Sequence, residues 1–381
     1  MSIMKVIIAI DSMKGSLTSL EAGLAVKAGV QRVMPNAEIC VRPLADGGEG
    51  TVTALTEGIG GRIQTVTVTG PLGRPVDCTY GILPNNTAVI EIASAAGLTL
   101  VPEKERNPLN TTTYGVGELI KDAVQKGCRN FIVGLGGSAT NDGGIGMLQA
   151  LGYGMLNADG NEVPRGAKGL KELKQITEDR VLPELKECTF RIACDVTSPL
   201  CGKQGASAVY GPQKGATPSL VVHMDEWLND YAKLARAKYP RANPDHAGAG
   251  AAGGLGFTFL TFLNATLQSG VKLVLEETGL ESKIQDADIV ITGEGRLDGQ
   301  SAMGKAPVGV AQLAKKYHKP VLALCGCIGG DARACNEYID AYFPILQTAV
   351  SPQEAMKCEV ATNNLIATAE QVFRLIARLK N

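Results

Sequence analysis

Apolar residues in this chain fall into short unbroken runs that alternate with longer stretches where they recur every three or four positions. Lys5–Ile10 is a nearly continuous apolar run and reads as a buried strand. Ser16–Val33 repeats its apolar positions with a period near 3.6 and stops before Pro35, as a helix does. Ile39–Leu44 then reads as a strand, Gly50–Thr56 as the start of a helix and Ile63–Val68 as a third strand. Such alternation predicts a parallel sheet with helices on both faces. The stretch Gly70-Pro71-Leu72-Gly73-Arg74-Pro75 breaks the rhythm with two prolines and marks a boundary.

The middle of the chain is more mixed. Val76–Ile82 and Ala88–Ile92 read as neighbouring strands joined through Pro84-Asn85-Asn86, Thr111–Lys126 and Ser219–Lys238 as helices, and Asn130–Leu135 and Phe190–Cys194 as buried strands. After the glycine-rich Ala247–Gly256 the alternation resumes. Leu273–Ile284 and Val308–Tyr317 read as helices, Asp288–Thr292, Val321–Leu324 and Tyr342–Leu346 as strands, and Gln353–Leu379 as one long or broken helix. The two chain ends look alike and the middle differs. The fold class is therefore α/β, with two α/β domains. Residues 1–72 plus 270–381 form a discontinuous Rossmann/flavodoxin-like domain around a parallel sheet, and residues 73–269 are an inserted α/β domain.

Bulk composition narrows the function classes. Hydrophobic residues make up 45% of the 381, charged residues 20% and aromatic residues 4%, so the cores are built from Val, Ile, Leu and Ala. The formal charge of −1, from 37 basic and 38 acidic residues, leaves no basic stripe for nucleic acid and no basic amphipathic segment for a membrane surface. The first apolar run is short and ends at Asp11, without the basic start or cleavage site of a signal peptide, and nowhere do 18 apolar residues run together. Ten cysteines occur without a C-x-x-C pair, which suits reduced thiols and a cytoplasmic location.

Glycine is over-represented, at 46 residues against the roughly 7% of an average chain. The glycines cluster beside carboxylates just past predicted strands, where open α/β sheets bind ligands. Five segments stand out. Asp11-Ser12-Met13-Lys14-Gly15-Ser16-Leu17-Thr18 places a lysine and hydroxyls near a helix start, either to hold an anion or to cap the helix. Asp46-Gly47-Gly48-Glu49-Gly50-Thr51 presents two acids around two glycines, with Asp46 suited to a metal or a substrate hydroxyl. Gly134–Gly144 holds five glycines with Ser138, Thr140, Asn141 and Asp142, an anion cradle beside a candidate Mg²⁺ ligand. Cys194-Asp195-Val196-Thr197, with Gly211-Pro212-Gln213-Lys214-Gly215 further on, offers a strand-end acid and a lysine. Thr292-Gly293-Glu294-Gly295-Arg296-Leu297-Asp298 packs three charged groups into one loop.

Simpler motif matches fail on context. Gly134, Gly136 and Ala139, with Asp159 downstream, fit a dinucleotide fingerprint, but the helix that should follow at once is delayed. Gly299 to Gly304-Lys305 fits a P-loop, but Ala306 replaces the Mg²⁺-binding hydroxyl and no strand precedes it directly. No Ser/His/Asp spacing supports acyl transfer, and no His/Cys/Glu cluster supports zinc. Phosphoryl transfer accounts for the inventory, because it needs phosphate donors, a carboxylate-held Mg²⁺ and a carboxylate base. A hydroxy-acid dehydrogenase using Gly134–Ala139 and a non-catalytic two-domain binding protein are the competing classes.

Seven blocks, Asp11–Leu17, Ala45–Thr51, Gly136–Gly144, Ala193–Thr197, Tyr210–Ala216, Gly248–Gly254 and Ile291–Asp298, closely resemble the bacterial type-1 glycerate kinases. They occur in order, and the resemblance runs from near residue 4 to near residue 375. The resemblance implies phosphorylation of D-glycerate with ATP and Mg²⁺, two α/β domains with the site in the interdomain cleft, and O2 as the favoured hydroxyl. Within that frame Asp195 is the expected general base and Asp46, Asp142 and Asp298 are candidate Mg²⁺ ligands. Gly136, Gly137, Ser138 and Asn141 are expected around the ATP phosphates with Lys214 neutralising charge. Ser12, Lys14 and Arg296 are expected on the glycerate carboxylate. The oligomeric state stays open.

Overall fold

A computed structural model describes residues 3–380 of the chain. The chain divides into two compact units: Met1–Asp46, Thr53–Gly60 and Val271–Asn381 form the first, and Gly47–Val52 with Gly61–Gly270 the second. Among the described residues no helix is long and apolar enough to cross a membrane.

The first unit is built on a five-stranded parallel sheet. Its order is Ala341–Pro344, Val321–Cys325, Ile289–Gly293, Lys5–Ile10, Glu38–Val41. The central strands are buried on both faces, hence their unbroken apolar sequences. Each fully buried Val, Ile or Leu there contributes roughly 1.5–3 kcal/mol of transfer free energy. The helices Ser19–Val33 and Cys358–Lys380 pack against each other on one face, the first burying its Val26 and Val30 and the second its Leu365 and Phe373. The helix Ala306–Lys316 lies against the central strands. Strand order reverses between Lys5–Ile10 and Ile289–Gly293, the first strand leading outward one way to Glu38–Val41 and the later strands running the other way. This is a topological switch point, where a crevice opens at the carboxyl edge.

The Ser19–Val33 helix starts one turn later than its apolar periodicity suggested. Thr18 is its N-cap: the Thr18 Oγ1 accepts from the Glu21 N–H at 3.2 Å, and Glu21 accepts from the Thr18 N–H at 2.8 Å. The reciprocal pair satisfies the helix start from within the chain, leaving Asp11–Leu17 as a separate loop.

The second unit holds a six-stranded sheet ordered Thr266–Gln268, Thr189–Ala193, Asn130–Gly134, Thr87–Glu91, Pro75–Ile82, Arg62–Thr69. The first four strands are parallel and the last two antiparallel. This corrects one expectation from the sequence. Arg62–Thr69, read as a third parallel strand of the first unit, forms a hairpin with Pro75–Ile82, from Arg62 opposite Ile82 to Thr69 opposite Pro75. The proline-rich stretch taken as a boundary is the hairpin turn, closed by Gly70 N–H to Arg74 O at 2.7 Å. Gly73 takes φ 79° there, and the chain changes unit at Gly60–Gly61 instead. Leu273–Ile284, read as one helix, is two, Gly270–Glu277 and Leu280–Gln285, broken at Gly279 with φ 60°.

Replacing Thr18 by Ala removes one half of the capping pair, and we expect it to lower unfolding stability by about 1 kcal/mol, read as a lower urea midpoint at unchanged m-value.

Candidate active site

In the first unit the sheet's carboxyl edge opens into a cavity of about 580 Å³. Every strand of the sheet delivers residues to its lining: Asp11 to Lys14 follow Lys5–Ile10, Asp46 follows Glu38–Val41, and Glu294 to Asp298 follow Ile289–Gly293. Gly326 and Cys327 follow Val321–Cys325, and Ile345 and Leu346 follow Ala341–Pro344. Lys14, Asp46, Arg296 and Asp298, four of the residues singled out in the sequence, therefore meet around one space. Asp11, Glu294 and Lys305 join them there, unassigned by the sequence reading although all three lie in or beside its motifs.

The electrostatics of this end are set by burial. Ile10 pairs with Gly293 across the switch point, so Asp11 and Glu294 leave neighbouring strands side by side. Asp11 is pushed up to about 7, first by burial and then by the Asp46 and Glu294 carboxylates, against the opposing Ser12 N–H at 2.7 Å and the Lys14 charge. Glu294 is also pushed up, chiefly by burial, while its Oε1 accepts from the Ser301 hydroxyl at 2.5 Å. Arg296 is largely exposed with its Nε 3.4 Å from Asp298 Oδ2, a weak pair that a stronger anion can displace. Gly293 is required at the crossing, since a Cβ there would lie 1.9 Å from the Leu324 carbonyl oxygen.

The cavity's acids supply oxygen donors only, the ligand type of a hard cation. Among the described residues no group of three or more His, Cys, Asp or Glu is arranged to hold a metal by itself. Mg²⁺ needs no such cage, because it commonly takes one or two carboxylates together with water and substrate phosphates. Carboxylates that destabilise one another by burial and proximity are relieved by a cation, so the set fits Mg²⁺.

The second unit carries the other expected residues. The Gly134–Gly144 loop leaves the strand Asn130–Gly134 with Gly136 and Gly137 exposed, and Gly137 in the left-handed region at φ 73°. Asp195 is exposed two residues past the neighbouring strand Thr189–Ala193, and its Oδ1 accepts from the Gly270 N–H at 3.1 Å. Because Gly134 pairs with Ala193, Gly136 and Asp195 leave adjacent strands at the same edge.

Asn141, Asp142 and Lys214, expected around phosphate and metal, lie instead beneath this loop. All three are almost completely buried. Asp142 Oδ2 accepts from the Thr113 N–H at 2.8 Å and the Thr113 hydroxyl at 2.9 Å, and Oδ1 from the Gly144 N–H at 3.1 Å. Asn141 donates to the Ser207 hydroxyl at 2.9 Å. The Lys214 ammonium donates to Ser138 Oγ at 2.9 Å and to the Thr140 carbonyl at 2.6 Å. Burial pushes it down to about 7, with the Asp142 charge opposing. A polar side chain turned inward spares the loop's buried backbone groups from going unpaired.

Asp159 sits exposed in a turn whose N–H donates to Asn157. Gly299–Lys305 contains the short helix Ser301–Met303 and follows no long strand, though Lys305 does reach the cavity.

A sequence model of the glycerate kinase family matches residues 6–377. The chain is 48% identical over 379 residues to the glycerate kinase of Bacillus subtilis (strain 168), covering 99% of both proteins. It is 45% identical over 373 residues to the glycerate 2-kinase of Escherichia coli (strain K12), covering 96% of this chain and 98% of that one. A crystal structure assigned as glycerate kinase 2 from Salmonella typhimurium LT2 matches it with a TM-score of 0.92 at 44% identity, over 100% of each chain. With matches that span both units from end to end, the chain belongs to the glycerate kinase family.

Proposed function

We propose that this enzyme transfers the terminal phosphoryl group of ATP to the 2-hydroxyl of D-glycerate with Mg²⁺, giving 2-phosphoglycerate. The observation that carries the reading is the convergence of Lys14, Arg296 and Lys305 with Asp11, Asp46, Glu294 and Asp298 on one cavity at a sheet switch point. Cations among carboxylates are what a phosphate chain and its metal require. The preference for O2 rests on the sequence resemblance and on the glycerate 2-kinase at 45% identity.

The roles we assign rest on this reading. Lys14, Arg296 and Lys305 take the phosphates, which reassigns the first two from the glycerate carboxylate. Asp11, Asp46 and Asp298 are the residues that would hold Mg²⁺, with Glu294 behind them. The metal, when bound, neutralises charge that develops on the phosphate oxygens. The exposed backbone of Gly136 and Gly137, with Ser138 beside it, is a cradle for the small carboxylate of glycerate. Asp195, at the same edge of the second sheet as this cradle, is the residue that takes the glycerate hydroxyl proton. Asn141, Asp142 and Lys214 position that loop and touch neither ligand.

Three outcomes test the scheme. In an ADP-release assay D-glycerate sustains turnover, and phosphorus NMR of the product shows the ester at C2; an ester at C3 overturns the regiochemistry. Asp195→Asn lowers kcat by roughly 10²–10⁴-fold while ADP affinity measured by calorimetry holds; near-normal kcat removes Asp195 as base. For Lys214, the folded chain binds fewer protons than the unfolded chain between about 7 and the ordinary 10.5. This group therefore makes stability rise as pH increases through that window. Urea unfolding of the wild type and Lys214→Met at pH 7 and pH 9.5 shows the wild type gaining on the variant at the higher pH, and an equal gap at both values places a charged ammonium in the fold.

A further inference from the structure

The cavity of the first unit has a second character that phosphates and metal leave unused. Besides its charged residues, the cavity is lined by Leu346, Val350 and Met356 from the chain after the strand Ala341–Pro344, an apolar wall, and by Asn364 of the last helix. Leu346, Val350 and Met356 are 42%, 41% and 46% exposed. Three large apolar side chains left in water within eleven residues, all lining one cavity, form a patch that calls for a ligand. The wall faces the Asp11–Leu17 loop closely: a Cβ on Gly15, which sits at φ 76°, would come 2.8 Å from the Met356 methyl carbon.

We propose that this wall holds the purine base of the nucleotide, adenine for choice, with the phosphate chain running from it to Lys14, Arg296 and Lys305. The volume of about 580 Å³ belongs to the range for ligands of drug size, roughly 300–1,000 Å³. A three-carbon acid fills little of it, and its hydroxyls would lose water against apolar carbon without gaining partners. A flat aromatic base gains from the same surface, and a thioether such as that of Met356 packs favourably against an aromatic ring. The cavity thus matches an amphiphile that is aromatic at one end and polyanionic at the other. A carboxamide pairs in two-point fashion with the edge of adenine, and Asn364 is the carboxamide on this wall. The assignment rests on the reading that the enzyme uses a nucleotide, yet it can be tested without turnover.

The test is calorimetric titration of the intact chain, without glycerate, using ADP and inorganic pyrophosphate as probes. Leu346→Gln with Val350→Thr, at exposed positions, weakens ADP about tenfold and leaves pyrophosphate affinity within about twofold. Asn364→Asp shifts preference from ADP towards GDP, because a carboxylate accepts from both N–H groups of the guanine edge and has no donor for the acceptor ring nitrogen of adenine. Lys14→Met weakens both probes together. The base site is overturned if the wall variant binds ADP like the wild type, if it loses ADP and pyrophosphate in parallel, or if the wild type binds both probes equally. Wild-type binding that follows the expected pattern without phosphate transfer to glycerate would leave the base site standing and sink the proposed reaction. Normal glycerate phosphorylation with an unaltered KM for ATP in the wall variant would do the reverse.

Discussion

Asp11 and Glu294 stand together because two parallel strands are locked in a register that sets Ile10 opposite Gly293, with the Asp11 N–H donating to the Gly293 carbonyl at 2.9 Å. That lock fixes two carboxylates at the place where the sheet's connections diverge, and Asp46 approaches from the strand on the far side. Hydrophobic burial of the strands supplies the energy that keeps the acids there, since each acid would be more stable in water. The cost appears as raised proton affinity at both groups. A site that is unfavourable for bare carboxylates is favourable for carboxylates with a cation, and the surrounding Lys14, Arg296 and Lys305 supply only part of that charge. The same register explains Gly293, whose missing side chain admits the Leu324 carbonyl.

The second unit solves a different problem. Its Gly134–Gly144 loop runs partly at the surface, and buried side chains brace it. Asp142 ties Thr113 to Gly144, and Lys214 ties Ser138 to Thr140, so the segment is held from below at both ends. An ammonium held mostly for its hydrogen bonds needs no permanent charge, which agrees with its lowered proton affinity. Polar residues that look like ligands in a sequence can thus be the scaffold for glycines that look like spacers.

Much of this was legible from the sequence. The unbroken strands Lys5–Ile10, Asn130–Gly134 and Thr189–Ala193 announced themselves by composition, and the glycine and acid clusters singled out in the sequence lie just past them. Arg62–Thr69 was misplaced because an apolar run gives no sign of its partner's direction, and a proline-rich turn looks the same whether it closes a hairpin or separates domains. Asn141, Asp142 and Lys214 were read outward because nothing local shows which side of a loop faces water. The apolar wall left no trace at all, since Leu346, Val350 and Met356 resemble ordinary core residues until exposure is known.

Glycine content illustrates the same limit and shows how it is overcome. At Gly253 a Cβ would meet the Thr140 carbonyl oxygen at 2.1 Å, and at Gly134 the Gly47 carbonyl oxygen at 2.3 Å, so close packing alone demands glycine at both. At Gly136 a Cβ would meet only the Gly48 Cα, at an ordinary 3.4 Å, and the residue is exposed. Packing does not ask for glycine at that position, whereas the anion cradle proposed for this loop would. Gly136 is thus a glycine that the protein's own contacts leave unexplained, as Leu346, Val350 and Met356 are apolar side chains that its own core leaves in water.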